Sequence, residues 1–308
     1  MIVVVCPGQG SQTPGFLAPW LEVPSFKSSI EAMQEASGLD LIAHGTVSDA
    51  ETIRDTAVAQ PLIVAAGIAS LQSLLNGKSI SELGISGVAG HSVGEITAAA
   101  VAGVFDAETA IKFVNARGQA MAKAASLEST SMAAILGGDQ SDVEAKLIEL
   151  SLEPANYNGS GQIVAAGSSS AIEKLQADPV AGTRVIPLQV AGAFHTRFMK
   201  PAVESLDSYS KTISVQDPII SLWSNNGGAK IESGTRFIEL LVNQVSSPVR
   251  WDLCMQAMVE AGVSGLIELS PAGTLVGLAK RAMPGVETLA VKTPENIEAA
   301  LALINNHR

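Results

Sequence analysis

The sequence predicts an α/β protein: a mainly parallel sheet covered by helices, with a smaller α+β unit inserted into it. Three observations point there. Ile85-Ser86-Gly87-Val88-Ala89, short and mostly apolar, runs into Gly90-His91-Ser92-Val93-Gly94 and then into the helix formers Glu95-Ile96-Thr97-Ala98-Ala99-Ala100-Val101-Ala102. Strand, G-x-S-x-G, helix is the context of a nucleophile elbow. Hydrophobic residues make up 47% of the 308 and aromatics only 4%, so small apolar side chains dominate. That suits helices packed closely on a parallel sheet. Between about residues 127 and 192 the expected elements follow the order βαββαβ, that of a ferredoxin-like unit.

The elbow turn is too tight for side chains on either side of the serine, hence the glycines at both ends. Ser92 is lifted off the sheet at a helix N-terminus. There the Val93 backbone N–H can face a developing oxyanion, and the helix dipole favours negative charge. The same turn would also suit a serine that only caps the helix.

Taken in order, Ile2-Val3-Val4-Val5 reads as the first strand; it carries no basic n-region or cleavage site and is too short to span a bilayer. It ends in Pro7-Gly8-Gln9-Gly10-Ser11-Gln12-Thr13-Pro14-Gly15. Thr13 stands where a dinucleotide fingerprint needs its third glycine, so a nucleotide site is poorly supported. The loop still brings backbone N–H groups and the Gln9 amide to the sheet's carboxyl edge. Residues 27–75 read mainly as helices, one of them begun by Pro61. Residues 77–84 form a polar loop before the elbow strand.

Asp106 is placed to cap a helix running to about Ala125. Arg117 falls on its apolar stripe with Ala110, Val114 and Met121. A guanidinium facing a core-like surface needs an anionic partner. The partner is either a carboxylate of the chain, such as Glu95, or one on a substrate.

In the insert, strands are expected at 131–136, 155–157, 162–166 and 184–190, with helices at 142–150 and 171–176. The seams fall near 127 and 192. The large unit resumes at Gly192-Ala193-Phe194-His195-Thr196-Arg197. A helix from about Pro201, a strand at 219–223, and helices at 237–245 and 251–261 follow. A strand at 265–269 then turns through Pro271-Ala272-Gly273 into the helix carrying Lys280 and Arg281.

The net charge of −11 argues against a nucleic-acid binder or a membrane-surface protein. Cys6 and Cys254 make no disulfide framework and no zinc spacing, so a reduced, cytoplasmic setting without a metal is expected. A serine nucleophile needs a base, and there are four histidines. His307 lies in the tail and is expected to be solvated. His44 lies in a polar helical region, and the elbow should point His91 away from Ser92. His195, in a glycine-flanked turn, is left as the base or as a structural histidine. No acidic third member stands out; a backbone carbonyl could orient the base instead.

These segments together resemble the malonyl-CoA:acyl-carrier-protein transacylases of bacterial fatty-acid synthesis and the acyltransferase domains of polyketide synthases. The resemblance runs from Pro7-Gly8-Gln9-Gly10-Ser11-Gln12 through Gln60-Pro61, Gly90-His91-Ser92-Val93-Gly94-Glu95, Arg117-Gly118, and Asn158 with Gly161-Gln162. It continues through Phe194-His195 and Ser247-Pro248-Val249-Arg250-Trp251 to Gly273-Thr274-Leu275. It implies an α/β-hydrolase-like large subdomain (1–126 and 193–308) and a ferredoxin-like small subdomain (127–192). Ser92 would be the acylated nucleophile, His195 its base, and the Gln9 and Val93 N–H groups the oxyanion hole. Arg117 would hold the malonyl carboxylate, and the main-chain carbonyl of Gln244 would orient the histidine. The substrates implied are malonyl-CoA and acyl carrier protein, with no cofactor.

Family members with His-Ala-Phe-His tend to take malonyl, those with Tyr-Ala-Ser-His methylmalonyl. Phe194 therefore implies malonyl, while Gly192 departs from the pattern. An acidic carrier needs local positive charge, for which Arg197, Lys200, Lys280 and Arg281 are candidates. The competing readings are a serine esterase or thioesterase, a malonyl transferase of another pathway, and a non-catalytic CoA- or carrier-binding module.

Overall fold

The computed structural model describes residues 1–307 and forms a mixed α/β fold with two sheets. Five consecutive buried residues form β1 (Ile2–Cys6). Their side chains alternate between faces, so Ile2, Val4 and Cys6 join one apolar core and Val3 and Val5 another. A strand buried on both faces requires helices on both sides. The chain continues with α1 (Pro24–Ser37), α2 (Leu41–Thr46), α3 (Thr56–Leu75), α4 (Ile80–Leu83), β2 (Ile85–Gly90), α5 (Gly94–Val101) and α6 (Ala107–Ala125).

α3 does not begin at Pro61. Asp55 caps it, accepting from the Ala57 N–H at 2.8 Å, and Pro61 lies inside the helix. The missing proline N–H forfeits one backbone bond, which a helix buried on nearly every side tolerates. α3 is long and apolar enough to cross a bilayer, but 83% of its most apolar window is buried inside the protein. It is a core helix. Asp106 caps α6 as expected, accepting from the Thr109 N–H at 2.8 Å.

The second run comprises β3 (Thr130–Gly137), α7 (Gln140–Glu149), β4 (Glu153–Gly159), β5 (Gln162–Ser168), α8 (Ser169–Ala177) and β6 (Thr183–Leu188), the βαββαβ order expected. The chain then returns through α9 (Lys200–Ser210), β7 (Ser221–Trp223), β8 (Lys230–Ile231), α10 (Gly234–Gln244), β9 (Val249–Arg250) and α11 (Trp251–Glu260). β10 (Gly265–Glu268), α12 (Thr274–Ala282), β11 (Glu287–Ala290) and α13 (Asn296–Asn306) complete it.

The first sheet has the order β11-β10-β1-β2-β7-β8, parallel except for the edge strand β8. The second has the order β6-β3-β5-β4-β9. Each neighbouring pair among its first four strands is antiparallel, and β9 joins β4 in parallel through Asn156↔Val249 and Tyr157↔Arg250. That two-residue strand comes from beyond the 127–192 run and is too short to leave a periodicity in the sequence. β7 starts at Ser221, not at 219, because Ile219 is 74% exposed and outside the sheet. His307 is not a solvated tail residue: Nδ1 lies 3.0 Å from Ser264 Oγ and Nε2 2.9 Å from Glu287 Oε2, tying α13 to the sheet edge.

Candidate active site

The elbow closes because Gly90 and Gly94 have no side chains. A Cβ on Gly90 would lie 2.1 Å from the Gly94 carbonyl carbon, and one on Gly94 would lie 2.1 Å from Cys6 O. Between them Ser92 adopts φ +52°, left-handed backbone that a non-glycine residue takes only when its surroundings enforce it. Asn225, just past the carboxyl end of β7, does the enforcing. Its Oδ1 accepts from the Ser92 N–H at 2.8 Å, and its Nδ2 donates to Gly90 O at 2.7 Å.

The tertiary fold brings Ser92 and His195 together across 103 residues, with Oγ 2.7 Å from Nε2. His195 Nδ1 donates to Gln244 O at 2.8 Å, which leaves Nε2 free to accept the serine proton. The His195 backbone, at φ +62°, is pinned by its own N–H to Val245 O at 3.0 Å. Burial, and then the nearby Arg117 charge, push His195 down to about 3. The imidazole is therefore neutral near pH 7, the form a base requires. His91 points away, donating from Nε2 to Asn158 Oδ1 at 2.9 Å, and His44 sits apart against Ser48.

Arg117 is fully buried. Nη1 donates to Gln60 Oε1 at 2.7 Å and Nη2 to Gln244 Oε1 at 2.8 Å, while Ser92 Oγ lies 3.5 Å from Nη2. Nε has no partner. Among the described residues no carboxylate pairs with it, so Glu95 does not supply the direct ion pair that the sequence left open. Glu95 instead accepts from the Asn225 N–H at 2.6 Å and from Gln244 Nε2. Burial pushes Glu95 up to about 7 against those hydrogen bonds and the Arg117 charge, which lower it. Desolvation brings Arg117 down to about 10, still cationic at neutral pH.

Ser92, His195 and Gln9 face a cavity of about 300 Å³ between the two sheets, walled on one side by Met132, Leu188 and Phe194. Arg117 does not line it. The guanidinium reaches the cavity only through the side chains it holds, Gln60 and Ser92. The Gly192 departure has a steric reason, because a Cβ there would lie 2.7 Å from Ala125 Cβ. Of the four cations, Arg197 is already bound to Glu153 and stacked on Phe198, while Lys200, Lys280 and Arg281 are exposed. None of the four lines the cavity.

Sequence reasoning missed Asn225, the role of Gln60 and the amide side chain of Gln244. Asn225 had a usable signal: Ser224-Asn225-Asn226-Gly227-Gly228 follows a strand at the sheet's carboxyl edge, where α/β sites form. Gln60 stands in a segment that carries the resemblance but without a role, and the Gln244 side chain left no signal, since a glutamine on a helix looks like any surface amide until its neighbours are known.

Comparison with known proteins gives a consistent picture. The family model described as acyl transferase domain matches residues 3–297. The malonyl CoA-acyl carrier protein transacylase of Mycobacterium tuberculosis is 48% identical over 303 residues, covering 97% of this chain and 98% of the relative. The crystal structure of MCAT from that organism superposes with a TM-score of 0.94, covering 98% of this chain and 99% of the other. A malonyl-transacylase solved in complex with its type II polyketide-synthase acyl-carrier protein is 30% identical. It superposes with a TM-score of 0.90, covering 98% and 99% of the two chains.

Proposed function

The chain belongs to the acyl transferase domain family, and from that premise we propose that it moves malonyl from malonyl-CoA to the phosphopantetheine thiol of acyl carrier protein. One observation supports this above the others. A serine–histidine pair at 2.7 Å stands beside a buried arginine with which, among the described residues, no carboxylate pairs directly.

His195 Nε2 takes the Ser92 proton as Oγ attacks the thioester carbonyl. The tetrahedral oxyanion is held by the backbone N–H groups of Gln9 and Val93; among the described residues neither donates to a protein acceptor. Collapse breaks the C–S bond, and the protonated His195 returns its proton to the departing CoA sulfur. The carrier thiol then attacks the malonyl–serine ester with His195 as base again, and Ser92 is regenerated. Gln244 O holds the histidine tautomer throughout. The malonyl carboxylate meets Arg117, whose fork geometry suits it, by passing between Gln60 and Ser92, which line the cavity in front of the guanidinium. A general esterase has no use for such a group. The reaction as written needs no cofactor.

The parallel sheet with its elbow supports reading residues 1–126 and 193–308 as an α/β-hydrolase-like large subdomain. The order β6-β3-β5-β4 supports reading 127–192 as a ferredoxin-like small subdomain. A cytoplasmic location fits the two free, buried cysteines. Lys200, Lys280 and Arg281 remain the carrier-docking candidates.

The deciding experiment is intact-protein mass after brief exposure to malonyl-CoA. A malonyl adduct discharged by holo acyl carrier protein is the expected result. CoA release without an adduct would indicate a hydrolase, and neither adduct nor release a binding module.

Two further outcomes follow from the geometry. Phe194 lines the cavity, and an aromatic there leaves little room for an α-methyl branch, so Phe194→Ser is expected to raise methylmalonyl use relative to malonyl about tenfold. An unchanged ratio in competition assays would count against that role. With His195 depressed to about 3, its neutral form persists as pH falls through the usual histidine range. Acetyl-CoA makes no demand on Arg117, so its single-turnover acylation rate should show no acid limb centred near 6.5. A limb there that persists in Glu95→Gln, which removes the neighbouring group at about 7, would mean that His195 is not held as described.

A further inference from the structure

Gln244 joins the contacts that order the site, and its side chain can be held only one way round. Nε2 donates to Glu95 Oε2 and, at 3.1 Å, to Ser92 O, with Asn225 Oδ1 at 3.3 Å. Oε1 accepts from Arg117 Nη2 at 2.8 Å. A peptide carbonyl only accepts and a guanidinium only donates, so Ser92 O and Arg117 set the amide orientation, and Glu95 Oε2, an acceptor while Glu95 is ionised, holds it there. The same residue's backbone oxygen holds His195.

Glu95 stands three residues after Ser92, 1% exposed, with its second oxygen on the Asn225 N–H. A carboxylate buried without a direct ion pair opposes folding. Its presence beside the nucleophile therefore calls for a reason within the site.

We propose that Glu95 is a positioning residue for acyl-group selection: by orienting the Gln244 amide, it holds Arg117 where a substrate carboxylate can meet it. This rests on the transacylase reading and deepens it, since it explains how the carboxylate preference is built rather than which atoms react. The Glu95 backbone N–H donates to Ser92 O at 3.0 Å, but among the described residues its side chain bonds Asn225 and Gln244, not Ser92 or His195, and does not line the cavity. It acts through Gln244.

Substituting Glu95→Gln sets two effects against each other. Loss of negative charge alone would make the site more positive and favour an anionic acyl group. Replacing an acceptor oxygen by NH2, however, aims a donor at either the Asn225 N–H or the Gln244 amide. If Gln244 turns over to accept, its own NH2 faces the Arg117 guanidinium and its oxygen faces Ser92 O. These contacts are direct, whereas the Glu95 charge reaches Arg117 only across the amide, so misorientation dominates.

The test is single-turnover loading of the full chain with malonyl-CoA and acetyl-CoA, for the native protein and Glu95→Gln, with thermal unfolding alongside. The malonyl-to-acetyl ratio of loading efficiencies is expected to fall about tenfold, the scale of one hydrogen bond to a charged group. A ratio that is unchanged or raised in a folded variant overturns the proposal. Should Glu95→Gln fail to fold, Gln244→Met decides, because it removes the amide but keeps the carbonyl on His195. A malonyl-specific loss there supports the proposal, and equal losses or none overturn it. Native protein that forms no malonyl ester would defeat the transacylase reading itself, an outcome visible before any variant is compared.

Discussion

Ser92→Ala is expected to abolish the malonyl adduct and to lower malonyl transfer to the carrier by at least about 10⁴-fold, the usual consequence of removing a covalent nucleophile. The elbow should survive the change. Asn225 holds the backbone N–H of residue 92, not its hydroxyl, and alanine takes the same left-handed backbone no less readily than serine. Intact mass and steady-state transfer measured on the same preparation check both halves of this expectation. An adduct of unchanged amount in Ser92→Ala would place the acyl group on another side chain. If Ser92 and His195, 2.7 Å apart, act as a unit as proposed, His195→Ala should cost a comparable factor, and the double variant little more. Additive losses would mean that the two do not work on the same step.

Arg117→Ala is expected to lower malonyl loading tenfold to a hundredfold and acetyl loading much less. A charge-assisted hydrogen bond to the substrate contributes about 1.5–3 kcal/mol, which corresponds to that range. The substitution also has a structural cost. It leaves Gln60 Oε1 and Gln244 Oε1 without their donor and opens a void in the core, so stability should fall as well. The malonyl-to-acetyl ratio separates the two effects, since partial unfolding reduces both activities equally. Equal losses for the two thioesters would reduce Arg117 to a structural residue. Arg117→Lys should recover little of the ratio, because an ammonium cannot hold both glutamine oxygens and a carboxylate in one plane.

Much of the site was legible because it lies in short local patterns. Gly90 and Gly94 around Ser92 state a steric requirement that any strand-to-helix turn of this tightness imposes. The capping of α6 by Asp106 was likewise readable, since a cap is a contact between neighbours in the chain. Pro61 shows the limit of such rules. Proline is suited to starting a helix, but Asp55, six residues earlier, offered a stronger start, and burial held the rest in place.

What the sequence by itself determined is therefore the set of chemically capable residues and the local setting of each: a serine on an elbow, a histidine in a glycine-flanked turn, an arginine on an apolar stripe. The tertiary structure alone decided how they combine. Whether Glu95 or a substrate would face Arg117 depended on Gln60 and Gln244, two amides 184 positions apart that converge only when α3, α6 and α10 pack against the elbow. The same holds for Asn225 across 133 residues and for β9, whose two residues complete the second sheet from outside its own run. A hydrogen bond between distant segments leaves no periodicity or spacing in the chain. It exists only once hydrophobic burial has fixed the distance between them.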